Sequence, residues 1–256
     1  MRQIYESLFS YETRLWLYKF RHQDVYRRAR KAVHPSPKGD FSLKPFDEHH
    51  CIFVHITKTA GTSAAQGLFG YLPYHYTAID YRVIYGRNAF NTYFKFAFVR
   101  NPWDRLYSAY RYLKAGGWND DDRRWGQDNL AEFDNFNDFV IQWLNMANIR
   151  KHIHFRPQHE FVCDSRGRLL IDYLAYFETL EEDFRRIARH LKINAEIGQH
   201  NTNPGLHYRD IYNDRSRDIV AQIYSTDIQL FGYDFDGIAK RRTIAGTELG
   251  NQSEPS

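Results

Sequence analysis

The sequence predicts an α/β fold built on a parallel sheet, because strand-like and helix-like segments alternate along the chain. Three apolar runs have the composition of buried strands, over residues 51–56, 94–99 and 169–177. The first two runs each end in a polar turn that leads directly into a helix-like segment. Since ligands of such sheets bind beyond the carboxyl ends of the strands, we expect both turns to face one crevice.

The other elements are predicted from apolar periodicity and turn chemistry. Periodic apolar positions predict helices over residues 1–34, 78–85, 136–145, 179–191 and 216–230. Thr179 and Glu182 have the spacing of a capping box at the start of the fourth helix, and Gly232 is expected to end the last one. Residues 115–122, which include three consecutive aspartates, are predicted to form an acidic surface loop rather than a metal site, and residues 201–210 to form a polar loop.

Length and composition indicate one main domain. The chain has 256 residues and 43% hydrophobic content, enough for one large core. We divide it into a helical extension and linker over residues 1–45, a main domain over 46–236 and a disordered tail over 237–256. The net charge of +4 suits an anionic ligand but is too small to indicate nucleic acid, so no nucleic-acid partner is expected.

Cysteine usage and hydropathy favour a cytoplasmic location. The only two cysteines, Cys51 and Cys163, lie far apart and do not suggest a disulfide framework. No Cys/His cluster has zinc-site spacing, so we expect no metal. The N-terminal region has no apolar run long enough for a signal peptide or a membrane span. We expect the N-terminal helix to pack on the core. Because this helix is basic, peripheral contact with a membrane surface is the alternative.

The stretch 53–63, Phe-Val-His-Ile-Thr-Lys-Thr-Ala-Gly-Thr-Ser, has the pattern of a phosphate-binding loop. A strand runs into a short loop, and a helix to about residue 70 follows. In this arrangement backbone N–H groups and the positive end of the helix dipole point at an anion. Lys58 adds a full charge, and Gly61 allows a close approach of the backbone. Because the lysine precedes the glycine, the nucleotide-triphosphatase signature is absent and another phosphorylated ligand is expected.

A second strand–turn–helix unit, over residues 94–112, carries an arginine at its strand end. Arg100 is placed to grip a phosphate with two parallel hydrogen bonds. Ser108 lies two turns into the helix. Arg105 is expected to pair with Asp104 on the helix surface.

The two stretches resemble the cofactor-binding motifs of sulfotransferases. Residues 53–63 resemble the 5′-phosphosulfate loop of that family, and residues 96–110 resemble its 3′-phosphate motif. The likeness covers residues 50–236 and is strongest to the carbohydrate branch related to chondroitin and dermatan 4-O-sulfotransferases and their bacterial relatives. Three further segments share it, over residues 156–158, 172–178 and 227–233. Thr57 stands where the family usually has proline, which predicts a softer loop.

The resemblance implies a P-loop-like three-layer fold, with a central parallel sheet flanked by helices. It implies 3′-phosphoadenosine 5′-phosphosulfate (PAPS) as the sulfuryl donor and a hydroxyl of a carbohydrate as the acceptor, with release of adenosine 3′,5′-bisphosphate. An enzyme acting on a small-molecule or lipid alcohol is the alternative, and a non-catalytic nucleotide-binding protein is a more distant one. A bacterial cytoplasmic enzyme is expected, and the Golgi lumen only if an anchor has been removed.

The resemblance also implies the residues that bind the cofactor. They are Lys58, Thr59, Ala60, Gly61, Thr62 and Ser63 in the loop, Arg100 and Ser108 in the second motif, and Tyr208 and Arg209 in the loop before the last helix.

Sulfuryl transfer requires stabilisation of charge on the leaving phosphate and removal of a proton from the acceptor. Lys58 is predicted to stabilise the leaving group. His75, in a context similar to a family His-x-x-Ala pattern, is predicted to be the general base, with His159 as the alternative. Asp80 and Glu160 are weaker options.

An acceptor groove is predicted around residues 152–161. Arg156 and His159 in this segment are expected to contact the acceptor, together with aromatic side chains near Trp103 and Trp118. Aromatic faces and a guanidinium suit sugar rings and uronic acids.

Overall fold

Residues 23–37, 39–198 and 207–244, with the separate positions 13, 17 and 20, are described by the computed structural model of the chain. The strands are β1 (Val33–His34), β2 (Phe41–Ser42), β3 (Cys51–Phe53), β4 (Phe94–Val99), β5 (Tyr173–Tyr176), β6 (Tyr233–Asp234) and β7 (Gly237–Ile238). The helices are α1 (Gln23–Lys31), α2 (Lys44–Glu48), α3 (Gly61–Phe69), α4 (Ala78–Thr92), α5 (Pro102–Lys114), α6 (Asp120–Leu130), α7 (Phe136–Trp143), α8 (His159–Val162), α9 (Leu180–His190), α10 (Tyr208–Ile211), α11 (Asp214–Ile223) and α12 (Ser225–Phe231).

The central sheet is parallel and has the order β3-β4-β5. In the register, Ile52 lies opposite Lys95, and Ala97 lies opposite Leu174. From Phe96 to Val99 the middle strand is apolar on both faces and fully buried, because helices cover both sides of the sheet. The predicted α/β fold with a central parallel sheet flanked by helices is confirmed. Each predicted strand is present, although β3 and β5 are shorter than the apolar runs that predicted them.

The two helices that follow β3 and β4 position the site. α3 starts within the predicted phosphate loop, eight residues after β3 ends. α5 starts three residues after β4, where the Asn101 side chain accepts a hydrogen bond from the N–H of Trp103 and Pro102 occupies the first turn. Both helix N-termini therefore lie at the carboxyl edge of the parallel sheet, as the sequence predicts.

The acidic run was wrongly predicted to be a loop. Residues 120–130 form α6, and the side chain of Asn119 caps it by accepting a hydrogen bond from the N–H of Asp122 at 2.8 Å. Three aspartates in the first turn of a helix are favourable because that end of the helix dipole is positive. Only Asp122 is buried, whereas Asp120 and Asp121 are exposed.

The predicted helix over residues 216–230 is two helices, α11 and α12, which meet at Tyr224. The Tyr224 side chain is buried, and its hydroxyl donates to the carbonyl oxygen of Phe155 at 2.6 Å. Gly232 ends α12 in the left-handed conformation, as predicted. The helix predicted over residues 78–85 continues as α4 to Thr92, across a non-helical Gly86.

The predicted capping box at Thr179 is absent. The Thr179 side chain caps no backbone N–H, and its hydroxyl donates to the buried carboxylate of Asp183 at 2.8 Å instead. That carboxylate also accepts hydrogen bonds from Tyr173 and from the backbone of Tyr176, so it ties α9 to β5.

The ends of the chain are only partly described. Most of the helix predicted over residues 1–34 lies outside the described residues, and α1 covers its end. Residues 201–206 of the predicted polar loop and 245–256 of the predicted tail also lie outside them. β7 pairs with β6 beyond position 236, and the division of the chain at that position stays a prediction. Among the helices that the structure describes, none has both the length and the apolar character needed to cross a bilayer.

Candidate functional site

The loop between β3 and α3 makes two tight left-handed turns. Lys58 has φ 66° and Ala60 has φ 63°, a conformation that residues other than glycine rarely adopt. The hydroxyl of Thr59 is buried and donates to the carbonyl oxygen of Ile56 at 2.9 Å, which closes the loop on itself. Thr59 can therefore offer a ligand its backbone N–H but not its hydroxyl proton. Concave turns of this kind at a helix N-terminus are suited to anion binding.

Gly61, the first residue of α3, is required by a close contact within the protein. A Cβ atom at this position would lie 2.1 Å from Cδ2 of His55, which is nearly fully buried. The sequence pattern indicated a glycine that admits a ligand, and the structure adds a second reason for it. The imidazole of His55 fills the space that any side chain at position 61 would need.

Arg105 supports the loop from α5 and is not the surface residue that was predicted. Its guanidinium is buried and donates to the carbonyl oxygen of Thr57 at 2.9 Å, to the Thr57 hydroxyl at 3.1 Å and to the carbonyl oxygen of Arg156 at 3.0 Å. The predicted partner, Asp104, instead pairs with Arg100. Thr57 thus supplies a hydroxyl to this network, which the proline usual at this position could not do.

Replacing Arg105 with methionine is expected to lower the free energy of unfolding by about 2–4 kcal/mol. The change keeps apolar volume but leaves buried carbonyl groups of Thr57 and Arg156 without their donor. Chemical denaturation monitored by fluorescence measures the effect, and Arg124→Met, at an exposed position of α6, is the matched control. Equal stability of the two variants would show that Arg105 does not hold the loop.

Arg100 joins the two predicted motifs. Its Nη1 donates to the carbonyl oxygen of Lys58 at 3.2 Å, and its Nε donates to Asp104 at 2.7 Å. Its guanidinium lies 3.9 Å from the ring centre of Phe177. Within the part of the chain that the structure describes, Nη2 donates no hydrogen bond to another residue, so this N–H group is available to an anion.

The backbone of Arg100 is held by Gln158, which the sequence marked only as part of a similar segment. The Gln158 side chain accepts from the Arg100 N–H at 2.9 Å and donates to the Arg100 carbonyl oxygen at 2.8 Å. Gln158 is fully buried, and its own N–H donates to the buried carboxylate of Asp227 at 2.7 Å. A buried amide that uses both its donor and its acceptor on one residue fixes the direction in which Arg100 leaves the strand.

Ser108 lies on the same face of α5 as Asp104, one turn further along the helix. Since Asp104 pairs with Arg100, the face of α5 that includes Ser108 is the face directed towards Arg100. Thr62 and Ser63 are half-buried in the first turn of α3, directly after the loop.

Lys58 is not a solvated surface lysine. It is half-buried, and its Nζ lies 4.1 Å from the ring centre of Tyr112 on α5. Burial lowers the pKa of Lys58 to about 8, and the positive charges of Arg100 and Arg105 add to the effect. The negative charge of Asp122 acts in the opposite direction. A lysine with such a pKa remains mostly charged at neutral pH.

His75 has a defined tautomer. Its Nδ1 lies 3.0 Å from the carbonyl oxygen of His55, and because a carbonyl can only accept, Nδ1 carries the proton. Nε2 is therefore the atom with a free lone pair. Burial lowers the pKa of His75, so the imidazole is neutral at pH 7. A neutral imidazole with a free lone pair is consistent with the predicted role of His75 as general base, which stays a prediction.

A buried group around Asp122 adjoins Lys58 and was missed by the sequence analysis. Asp122 accepts hydrogen bonds from the hydroxyl of Tyr112 at 2.7 Å and from the backbone N–H of Trp118 at 3.0 Å. Its other oxygen lies 3.4 Å from Nε2 of His152 and 4.0 Å from Nε2 of His154. Asn119, one turn before Asp122, was the sequence signal for the helix that buries this carboxylate. No group of three or more His, Cys, Asp or Glu residues in the described ranges is arranged to hold a metal ion.

The alternative base, His159, forms a separate pair. Its Nδ1 lies 2.6 Å from the carboxylate of Asp227, which is fully buried. Glu160 is engaged by Arg156 at 2.9 Å and by Arg150, and Asp80 accepts from the N–H of Thr77 in a capping box. Both carboxylates are therefore engaged by other groups of the protein.

Two predicted site regions are arranged differently from the expectation. Trp103 was expected near the acceptor groove, but its side chain leaves the first turn of α5 into the core, where its Nε1 donates to the carbonyl oxygen of Arg217. Trp118 is half-buried. Tyr208 packs with Phe235 and donates to its carbonyl oxygen at 2.6 Å, and Arg209 turns to the carbonyl oxygen of Asp236. Arg209 has no contact with the loop that the structure describes around Lys58.

Comparison with known proteins decides the family. A model of the family described as "Sulfotransferase family" matches residues 76–234, more than half of the chain. The chain belongs to the sulfotransferase family. The matched range includes Arg100 and Ser108, whereas Lys58 and His75 precede it. The assignment of the loop therefore depends on the geometry described above.

One relative of this sulfotransferase is described as an uncharacterized protein of Archaeoglobus fulgidus. The two chains are 27% identical over 113 residues, which cover 44% of this chain and 78% of the relative. No solved structure matches the chain. The family membership establishes a sulfotransferase domain, and donor and acceptor are matters for proposal.

Proposed function

We propose that this sulfotransferase moves the sulfuryl group from PAPS to a hydroxyl of a carbohydrate acceptor and releases adenosine 3′,5′-bisphosphate. The observation that carries the proposal is the contact between the two strand-end motifs. Nη1 of Arg100 donates to the carbonyl oxygen of Lys58 at 3.2 Å, so the two cationic side chains leave adjoining positions. A donor with phosphate groups on both sides of its ribose would occupy both positions at once.

The donor would be held by backbone and side-chain groups of both motifs. The proposed set is Lys58, Thr59, Ala60, Gly61, Thr62 and Ser63 on the 5′ side, with Arg100 and Ser108 on the 3′ side. The available Nη2 of Arg100 and the left-handed turns of the loop support this division. Tyr208 and Arg209 are kept as weaker members, because their described contacts are with residues 235–236.

In the proposed reaction, the sulfur–oxygen bond to the leaving phosphate breaks while a new one forms to the acceptor oxygen. Lys58 stabilises the charge that develops on the leaving phosphate. Nε2 of His75 accepts the proton of the acceptor hydroxyl. Both requirements are met near pH 7: the lowered pKa of His75 keeps its imidazole neutral, and Lys58 is still mostly charged because its pKa, although lowered, is about 8.

Recognition of the donor is tested by thermal shift. Adenosine 3′,5′-bisphosphate is expected to raise Tm in a concentration-dependent way, whereas ATP and duplex DNA at the same concentration are not. Stabilisation by ATP or DNA in place of the bisphosphate would contradict the proposal and favour a nucleotide- or nucleic-acid-binding protein.

Replacing Arg100 with alanine is expected to weaken binding of adenosine 3′,5′-bisphosphate by about 2–4 kcal/mol, because a charge-assisted contact is lost from a partly buried site. Binding of adenosine 5′-phosphate should change much less. Calorimetry with both ligands measures the difference, and Arg124→Ala at an exposed position of α6 is the control. Equal affinity of the wild type for both ligands would remove Arg100 from the 3′-phosphate site.

The carbohydrate acceptor is supported by the surroundings of Lys58. Half-buried Trp118 donates its backbone N–H to Asp122, and Arg156 and His159 are both partly exposed on the neighbouring segment. An aromatic face and a guanidinium suit an anionic sugar. Release of the bisphosphate in the presence of oligosaccharides, phenols, steroids and lipid alcohols tests this. Turnover with phenols or lipid alcohols but with no oligosaccharide would replace the carbohydrate by that class.

We also propose that residues 46–236 form the sulfotransferase domain, that residues 1–45 form an extension, and that the enzyme is cytoplasmic. The extension contacts the domain, because Nε of Arg30 on α1 donates to Asp47 on α2 at 2.8 Å. Peripheral membrane contact through the basic N-terminal helix is tested by sedimentation with anionic vesicles. Binding that is unchanged in a chain starting at residue 46 would exclude the helix as the contact.

A further inference from the structure

The side chain of Lys58 rests on a pair of residues that neither the sequence motifs nor the family match assigns. Its Nζ lies 4.1 Å from the ring centre of Tyr112, and the hydroxyl of Tyr112 donates to Asp122 at 2.7 Å. We propose that Tyr112 and Asp122 are positioning residues for Lys58, which orient its ammonium group and keep it charged. The functional importance of this role rests on the proposed function of Lys58, whereas the role itself can be measured without a reaction.

The ring of Tyr112 orients the ammonium group of Lys58. Lysine has a flexible four-carbon stem, so a loop alone leaves its ammonium group many rotamers. A cation is attracted to the face of an aromatic ring, and this attraction is stronger where water is largely excluded. Tyr112 lies on α5, whose packing against α6 brings Asp122 to the Tyr112 hydroxyl. The ring is therefore held from two helices while the lysine comes from the loop.

Asp122 supplies a negative charge opposite the ammonium group of Lys58. Its burial distinguishes it from the two aspartates that precede it in the sequence. Asp120 and Asp121 are exposed and pair with Arg123 and Arg124 in the first turn of α6. Asp122 is buried and accepts hydrogen bonds from the Tyr112 hydroxyl and the Trp118 N–H. These bonds keep Asp122 ionised in spite of its burial, because hydrogen bonds to a carboxylate favour its charged form.

The charged and titratable groups that face Lys58 are Arg100, Arg105, Asp122 and His154. The two arginines disfavour the ammonium form of Lys58, as does its burial. Asp122 also faces the hydroxyl of Tyr112 and the imidazoles of His152 and His154, and burial holds the pKa of His154 well below its usual value. Asp122 is thus the acid whose charge opposes the effects of burial and of the two arginines on Lys58.

The expected consequence is a shift in the titration of Lys58. Without the charge of Asp122, the pKa of Lys58 falls below about 8, and a growing fraction of the side chain is neutral at physiological pH. Since the charged form would stabilise the leaving phosphate, the alkaline limb of the rate profile would move to lower pH. A residue with a merely structural role would lower activity at all pH values without moving this limb.

NMR of protein labelled with 13C at the lysine ε-carbon measures the Lys58 pKa directly, and Lys58→Arg assigns the signal. Asp122→Asn is expected to lower this pKa by about one unit, and Asp121→Asn to leave it unchanged. An unchanged pKa in folded Asp122→Asn would overturn the assignment of Asp122. The measurement uses no donor, so a lowered pKa in an enzyme that transfers no sulfuryl group would contradict the proposed function and leave the positioning role intact.

A second pair of variants tests the ring and replaces the first test if Asp122→Asn does not fold. Tyr112→Phe keeps the aromatic face and loses the hydroxyl, whereas Tyr112→Leu loses both. The Lys58 pKa is expected to be lower in Tyr112→Leu than in Tyr112→Phe, because the leucine variant lacks the aromatic face that favours the charged form. The same Lys58 pKa in both variants would overturn the role of the ring.

Discussion

Replacing Lys58 with alanine is expected to lower kcat by about 10²–10³-fold, while KM for the donor changes little. The reason is that charge on the leaving phosphate grows during transfer, so an ammonium group beside it stabilises the transition state more than the ground state. The half-buried position of Lys58 strengthens this interaction, since little water competes for either charge. Steady-state kinetics with varied donor concentration separates the two parameters.

The matched control is Lys44→Ala, which removes an exposed lysine from α2 and should leave both parameters at the wild-type values. Lys58→Arg keeps the charge but changes its shape, so it should recover part of the lost rate. A Lys58→Ala enzyme with unchanged kcat and a raised KM would assign Lys58 to binding of the donor rather than to the chemical step.

Replacing His75 with alanine is expected to lower kcat by roughly 10²–10⁴-fold with nearly intact affinity for adenosine 3′,5′-bisphosphate. In the wild type, the base works only when neutral, so the rate should fall as the pH drops through the pKa of His75. Burial lowers that pKa, so the midpoint of the acid limb should lie below the usual histidine value of about 6.5. The acid limb should be absent from the residual activity of the variant.

His159→Ala is the comparison for this prediction, because Nδ1 of His159 is also fixed by an acceptor, the carboxylate of Asp227. It should lower kcat less than His75→Ala. If His75→Ala retains near-normal turnover while His159→Ala loses it, the role of base passes to His159.

The parts of the fold that were predicted from the sequence are those with local signals. Asn101 and Pro102 mark the start of α5, Gly232 marks the end of α12, and the apolar run before Arg100 marks the middle strand. Each signal acts through the backbone within a few residues. The parallel direction of the strands then follows, because short strand–helix units repeat along the chain.

The parts that were wrong depend on contacts between distant segments. Arg105 was expected on the surface, since an Asp104–Arg105 pair near a helix start is typical of a solvated face. Its burial results from Thr57, 48 positions away, whose carbonyl and hydroxyl oxygens need a donor. The burial of Asp122 was missed for a similar reason, because nothing within its own acidic run distinguishes it from Asp121.

The roles of the residues in the candidate site stay predictions, and the structure adds contacts for some of these residues and not for others. It brings Arg100 to Lys58 and gives His75 a lone pair at Nε2. It shows that Trp103, which was expected near the acceptor groove, is buried in the core. Which histidine faces the acceptor could not be derived from the sequence, because it depends on how residues 152–161 pack against α5 and α12.

Direct transfer of labelled sulfur tests the central claim, which is that Lys58 and Arg100 hold the two sides of one PAPS molecule. The protein is incubated with PAPS labelled with 35S and an oligosaccharide acceptor, and labelled acceptor and adenosine 3′,5′-bisphosphate are counted after separation. We predict that both products form in equal amounts with the wild type, and that each single replacement by alanine, at Lys58 or at Arg100, strongly reduces them. Equal transfer by the wild type and both variants, or no transfer to any hydroxyl acceptor by a folded protein, would contradict the account.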